Sequence, residues 1–130
     1  MATNVSQTAS RTLGLVIYVR SATVDDAQAL FEWRNDIDTR HASVSTQSLE
    51  WSEHLRWLVA ALADERRRVY MVEDDAVGAE HSIGVCRFDI EAVGRGLGAE
   101  VSINLNPAAR GRGLAGPVLD AAIERFRSDT

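Results

Sequence analysis

Apolar and polar positions change their spacing several times along the chain, and each change predicts a new element. The short apolar run Leu13–Val19 is ended by Arg20 and predicts a first strand. A helix is predicted next, with Asp25 in its first turn and Asn35 at its end, because carboxylates suit a helix start. A second helix is indicated by apolar residues that recur at the helical period: Trp51, Leu55, Leu58, Val59 and Leu62.

The second half of the chain predicts three strands followed by a helix. The strands are expected at Val69–Glu73, Ser82–Asp89 and Glu100–Leu105, with turns at residues 74–80 and 94–98. A turn at residues 106–107 and a loop of arginine and glycine lead into the last helix. Its apolar face consists of Ala115, Val118, Leu119, Ala122, Ile123 and Phe126. The pattern predicts an α/β fold of the α+β type.

Composition narrows the class of protein. The chain has 130 residues, of which 45% are hydrophobic and 25% charged, as in an ordinary globular domain. Residues 1–12 are rich in Ser, Thr and Ala and are expected to form a disordered tail, with one domain over residues 13–130. The formal charge of −5 argues against a general nucleic-acid binder. There is no apolar run of about 18 residues and no signal-peptide pattern, so we expect a cytoplasmic protein with no membrane partner.

The loop at residues 110–116 carries the strongest chemical signal. Gly111 and Gly113 would let a phosphate approach the backbone, Arg110 and Arg112 add positive charge, and a helix start follows. A dinucleotide fingerprint shares the spacing of these glycines with Gly116, but it expects a tight glycine-rich loop and an acidic residue about 20 positions later. Dinucleotide binding is therefore a weaker hypothesis. The lysine of a Walker loop is absent.

Arg110-x-x-Gly113-x-Ala115 resembles the Arg/Gln-x-x-Gly-x-Gly/Ala motif of the GNAT acetyltransferase superfamily. The order of predicted elements from Ile17 onward resembles that superfamily as well. The resemblance implies a mixed, mostly antiparallel sheet flanked by helices, here truncated after the helix that follows the loop. It also implies acetyl-coenzyme A as the cosubstrate and no metal. The histidines at 41, 54 and 81 have no metal-site spacing.

The resemblance also assigns roles to individual residues. The backbone of Ile103, Asn104 and Leu105 would bind the pantetheine arm, and Glu100 would act as the catalytic base. The pyrophosphate would lie against the backbone N–H groups of Arg110, Gly111, Arg112, Gly113, Leu114 and Ala115, and the Arg112 side chain would reach a phosphate.

A finer resemblance lies in the first two helices. Trp33-Arg34-Asn35-Asp36 and His54-x-x-Trp57 resemble the branch that contains ribosomal-protein N-acetyltransferases and nucleotide-sugar N-acetyltransferases of pseudaminic-acid-type pathways. In that branch these helices and their linker cover the acceptor. The implied acceptor contacts are Arg34, Arg40, His41 and His54.

Members of the superfamily continue with a further strand, helix and hairpin, which often supply a tyrosine as general acid. Tyr18 and Tyr70 do not match that position. Residues 100–105 would then be an open sheet edge, through which we expect copies of the chain to associate. The leading hypothesis is an N-acetyltransferase of a small-molecule amine, with an amino-sugar nucleotide favoured over a protein N-terminus. The alternative is a catalytically weak module that binds acyl-coenzyme A or a partner protein.

Overall fold

The structure, a computed structural model, describes residues 7–12, 15–36, 50–74 and 82–130. The elements are strands β1 (Gln7–Thr12) and β2 (Leu15–Ser21), helices α1 (Ala27–Asn35) and α2 (Trp51–Ala63), strands β3 (Arg67–Asp74), β4 (Ser82–Val93) and β5 (Gly96–Leu105), and helix α3 (Ala115–Asp129). Single turns of 3-10 helix lie before α1, at Val24–Asp26, and after β5, at Pro107–Ala109. The strands form one sheet in chain order, and every described pairing is antiparallel.

Strand β3 shows why the core has two parts. Its successive side chains point to opposite faces of the sheet. Val69 and Met71 pack with α1 and α2, whereas Tyr70 and Val72 pack with α3. Both faces are therefore covered, and all four side chains are buried. Within the described residues, no helix is long and apolar enough to cross a membrane.

Strand β1 corrects one prediction. Residues 1–12 were expected to form a disordered tail, but Gln7–Thr12 pairs with β2 from Gln7 opposite Arg20 to Thr12 opposite Leu15. The segment is polar and has no apolar alternation, so hydrophobic patterning could not predict it. Backbone pairing in a sheet does not depend on side-chain polarity, and threonine suits a strand.

The start of α1 is fixed by an ion-pair network. The Asp26 carboxylate accepts hydrogen bonds from both Arg20 Nη atoms, at 2.8 and 2.7 Å, and from the Thr23 backbone N–H at 2.7 Å. Arg20 also pairs with Glu73 on β3. Burial alone would raise the pKa of Asp26, but its bonds to Arg20 and Thr23 hold that pKa below its usual value. This network ties the helix start to β2 and β3.

Candidate functional site

The turn after β5 is built as the sequence predicts. Asn106 Oδ1 accepts a hydrogen bond from the Ala108 N–H at 3.0 Å, and Asn106 Nδ2 donates to the Ser82 carbonyl at 2.9 Å. Pro107 suits the first position of the short helical turn, because it lacks an N–H to satisfy there. One side chain thus closes the turn and attaches it to the start of β4.

The predicted phosphate loop lies between this turn and α3. Gly111 and Gly113 have φ angles of +78° and +69°, a conformation that other residues rarely adopt. Residues 111–113 are exposed, whereas Leu114 is only 2% exposed and anchors the loop in the core. No side chain caps the start of α3, so its first backbone N–H groups keep the affinity for an anion that a helix start provides.

The two loop arginines have different environments. Arg110 Nη1 lies 2.8 Å from Asp36 Oδ2, so this side chain attaches the loop to the end of α1. Its backbone N–H donates to the Pro107 carbonyl at 3.3 Å and is used within the turn. Arg112 is half exposed and lies 3.8 Å from a carboxylate oxygen of the buried Asp74. Of the two guanidinium groups, that of Arg112 is the one placed to meet a ligand from solvent.

Strand β5 pairs only with β4 among the described strands, which leaves its outer edge open. Glu100, Ser102 and Asn104 lie opposite Asp89, Arg87 and Val85, and Val85 packs against the core beneath α1 and α2. These three β5 residues therefore lie on the α1/α2 face of the sheet. Ile103 and Leu105 lie opposite Cys86 and Gly84, on the α3 face.

Gly84 lets β4 approach β5 closely, because it has no side chain to separate the two strands. A Cβ atom added there would lie 3.1 Å from the Asn104 carbonyl oxygen and 3.1 Å from Leu105 Cδ2. Both are tighter than ordinary van der Waals contact. The backbone expected to bind pantetheine is thus held in place by the absence of a side chain at position 84.

His54 does not have the surroundings of a substrate contact. It is fully buried, and its Nε2 lies 2.9 Å from the Ala27 carbonyl, which can only accept, so Nε2 carries the proton. Burial lowers the pKa of His54, and nearby Arg34 lowers it further against the opposing effect of the Ala27 bond. The ring is a neutral group that packs α2 against α1. The expectation that it touches an acceptor is wrong for this conformation.

Of the other predicted acceptor contacts, Arg40 and His41 lie outside the described residues. The guanidinium carbon of Arg34 is 4.5 Å from the centre of the Trp57 ring, a cation–π arrangement. Arg87 on β4 approaches the same ring at 5.6 Å. Arg87 is not among the residues predicted from the sequence, although a lone arginine inside the apolar run of β4 is a signal that could identify it.

Two other residues with reactive side chains, Cys86 and Tyr70, have structural roles. Cys86 is buried, and burial raises the pKa of its thiol to about 12, so it is an apolar core residue and not a nucleophile. Tyr70 is buried, and its hydroxyl donates to Asp129 at 2.7 Å. In the part of the chain that the structure describes, no three His, Cys, Asp or Glu residues are grouped as a metal site would require.

Comparison with known proteins identifies the family to which the chain belongs. The family model described as "Acetyltransferase (GNAT) domain" matches residues 17–130. No curated protein matches. Among solved structures, an uncharacterized protein from Bacillus halodurans has a TM-score of 0.77 at 13% identity, covering 96% of this chain and 68% of that one.

Two further structures were determined with the cofactor. Spermidine N-acetyltransferase from Vibrio cholerae, in complex with CoA and spermine, has a TM-score of 0.68 at 20% identity over 83% of this chain and 62% of its own. A putative acetyltransferase from Salmonella typhimurium with its cofactor acetyl-CoA has a TM-score of 0.62 at 21% identity over 86% and 64%. These likenesses support the fold. The chain spans 62–68% of the lengths of the three proteins.

Proposed function

Because the chain belongs to the GNAT acetyltransferases, we propose that it transfers an acetyl group from acetyl-CoA to a primary amine. The observation that carries the proposal is the loop at residues 110–114. Two glycines with positive φ precede an uncapped helix start there, next to the edge of β5 that no described strand covers. A loop of this kind suits a pyrophosphate, and an open strand edge suits a ligand with amide groups.

The cofactor roles divide between loop and strand. The backbone N–H groups of Gly111 to Ala115 would hold the pyrophosphate, with Arg112 as the available cation. The backbone N–H of Arg110 is not included, because it already donates to the Pro107 carbonyl in the turn. The outward-facing backbone groups of Ile103 and Leu105 would pair with the pantetheine arm, whereas the expected pairing by Asn104 is not proposed, because its backbone faces β4. Acetyl-CoA supplies the activated thioester when it is bound, and these residues orient it.

Glu100 is the proposed base. It is exposed on β5 and faces the side of the sheet covered by α1 and α2. A carboxylate there would accept the proton of an incoming ammonium group, directly or through water. Tyr70 is excluded as general acid, because it is buried and already bonded to Asp129.

The acceptor is proposed only as a primary amine. The helix motif favours an amino-sugar nucleotide or a protein N-terminus, but the similar structure from Vibrio cholerae contains the polyamine spermine. A binding module for acyl-CoA without turnover is the second candidate. A cytoplasmic location and association through the β5 edge stay predictions.

Calorimetric titration with acetyl-CoA tests cofactor binding, and release of free thiol with a panel of amines tests transfer. We expect saturable binding that Gly113→Asp abolishes, because the substitution adds a negative charge and a side chain in a strained conformation. Binding without thiol release from any amine would favour the module. Absence of binding by folded protein would contradict both proposals.

A further inference from the structure

Two arginines meet one tryptophan on the α1/α2 face of the sheet. Arg34 comes from α1 and Arg87 from β4, and their guanidinium carbons lie 4.5 and 5.6 Å from the centre of the Trp57 ring. Arg34 precedes Trp57 in the sequence and Arg87 follows it, so the fold brings two positive charges from distant parts of the chain to the same ring. Such an arrangement is unfavourable unless an anion is present or nearby groups compensate it.

Compensation within the described residues is incomplete. Arg87 Nε lies 3.0 Å from Asp89 Oδ2, and Arg87 Nη2 lies 3.5 Å from Ser102 Oγ. Asp89 also lies 3.8 Å from Arg67, so its charge is shared. Arg34 Nη1, by contrast, is a buried atom without a hydrogen-bond partner in the described part of the chain. A buried, unsatisfied guanidinium donor has a substantial cost in free energy, which a bound oxyanion would remove.

The electrostatics agree with this geometry. Burial lowers the pKa of Arg34, and the charge of Arg87 lowers it further. A guanidinium nevertheless remains protonated in proteins, so the site keeps two positive charges. Next to it lies a surface cavity of about 400 Å³, with Trp57, Arg87 and Asp89 in its wall. A ligand group could therefore reach Arg87 and the Trp57 ring from solvent, whereas Arg34 does not line this cavity and would be approached from behind the ring.

The register of β4 and β5 relates this charge pair to the proposed base. Arg87 is opposite Ser102, and Asp89 is opposite Glu100. Positions 100 and 102 are on the same face and about 7 Å apart along the strand. A short molecule with an amine at one end and an oxyanion at the other would thus find a carboxylate for the amine and two guanidinium groups for the oxyanion.

We propose that Arg34 and Arg87, which both lie against the Trp57 ring, bind a carboxylate or phosphate group of the acceptor with Ser102 beside Arg87, so that the preferred acceptors are amines that carry an oxyanion. This inference rests on the proposed acetyl transfer for the word "acceptor", but the oxyanion site itself does not. Polyamines would be poor acceptors, because two guanidinium groups repel a polycation.

Binding is tested first, without catalysis. O-phosphoethanolamine, β-alanine and ethanolamine are titrated separately into the chain, and the Nε–H signals of Arg34 and Arg87 are followed by NMR. We expect saturable shifts with one or both oxyanion-bearing amines, and the pair distinguishes phosphate from carboxylate. Loss of one charge-assisted contact in Arg34→Gln should weaken binding about 10- to 100-fold.

Arg87→Gln is the second variant, in case the first does not fold. Arg56→Gln is the control, because Arg56 is exposed on α2 and loses the same charge. Equal affinity in Arg34→Gln, Arg87→Gln and Arg56→Gln would overturn the proposal. So would an equal response to ethanolamine, or no saturable shift at either arginine. The two arginines would then serve only to pack against Trp57.

Thiol release from acetyl-CoA separates this inference from the proposed function. Shifts at the two arginines without thiol release would leave the oxyanion site in place and contradict acetyl transfer. A different result is thiol release that is as fast with ethanolamine or spermidine as with the oxyanion-bearing amines, and unchanged by Arg34→Gln. That result would support acetyl transfer and contradict the oxyanion site. Faster turnover of the oxyanion-bearing amines, lost mainly through a higher KM in both arginine variants, would support both.

Discussion

Two glycines close together in the chain should respond to alanine with opposite signs. Gly113 has a φ of +69°, and Gly116 lies in the first turn of α3. A Cβ added at either position would have no heavy atom within 4 Å, so neither substitution causes a clash. The two sites differ only in backbone conformation. Comparing the two alanine variants therefore tests whether the loop requires a positive φ angle at residue 113.

The magnitudes follow from the backbone. An alanine at φ +69° destabilises the folded state by about 1–2 kcal/mol. It also makes the unfolded chain less flexible, which stabilises the fold by about 0.4–1 kcal/mol. Gly113→Ala should therefore lower the free energy of unfolding by about 1 kcal/mol. Gly116→Ala has no strain to offset and should raise it by about 0.5–1 kcal/mol. Gly111→Ala, at φ +78°, should behave like Gly113→Ala.

Urea denaturation followed by circular dichroism measures the difference. With an ordinary dependence on urea, the midpoints of Gly113→Ala and Gly116→Ala should differ by about 1 M. Equal m-values are the control that the variants unfold between the same two states. Variants Gly113→Ala and Gly111→Ala that are as stable as the unsubstituted chain would refute this prediction, since the loop then does not require positive φ.

Three further predictions concern packing and titration. Gly84→Ala should lower stability by about 1–3 kcal/mol, because the Asn104 carbonyl must move, and should weaken acetyl-CoA binding by calorimetry; Gly96→Ala, whose Cβ would meet nothing closer than 3.9 Å, should do neither. The pKa of His54 is lower folded than unfolded, so its contribution to stability is complete above pH 6.5 and is lost as the pH falls; His54→Gln should flatten the stability profile between pH 7 and 5. Cys86, whose pKa is raised to about 12, should react with Ellman's reagent only on unfolding, and rapid reaction of native protein would contradict its burial.

Periodicity predicted most of the architecture, for a physical reason visible in α2. Leu58 is fully buried, whereas Trp51 is 42% exposed at the start of the same helix. The helical period identifies which residues share a face, but how far that face is covered depends on neighbours distant in the chain. The same limit explains β1, whose partner β2 is indicated by nothing in its own polar sequence.

The candidate site was predictable where the chemistry is in the backbone. Gly111 and Gly113 have the positive φ angles that the motif requires, since only glycine adopts them readily. Side-chain roles were less predictable. Arg110 pairs with Asp36, 74 positions away, and His54 is buried against α1. A polar side chain has the same letter in the sequence whether it binds a ligand or packs two helices together.

Strand β5 shows how one short segment can serve several partners without conflict. Its even-numbered residues from Glu100 to Asn104 face α1 and α2, where the acceptor is proposed, while Val101 and Ile103 lie on the α3 face. None of the described strands pairs with its outer edge, where the pantetheine arm or another strand is proposed to bind. Because side chains and edge point in three directions, substitutions should separate their effects: Ser102→Ala would alter acceptor affinity, whereas a polar residue at Ile103 would alter the apolar face. A strand is suited to this arrangement, since its alternation assigns neighbouring residues to different faces.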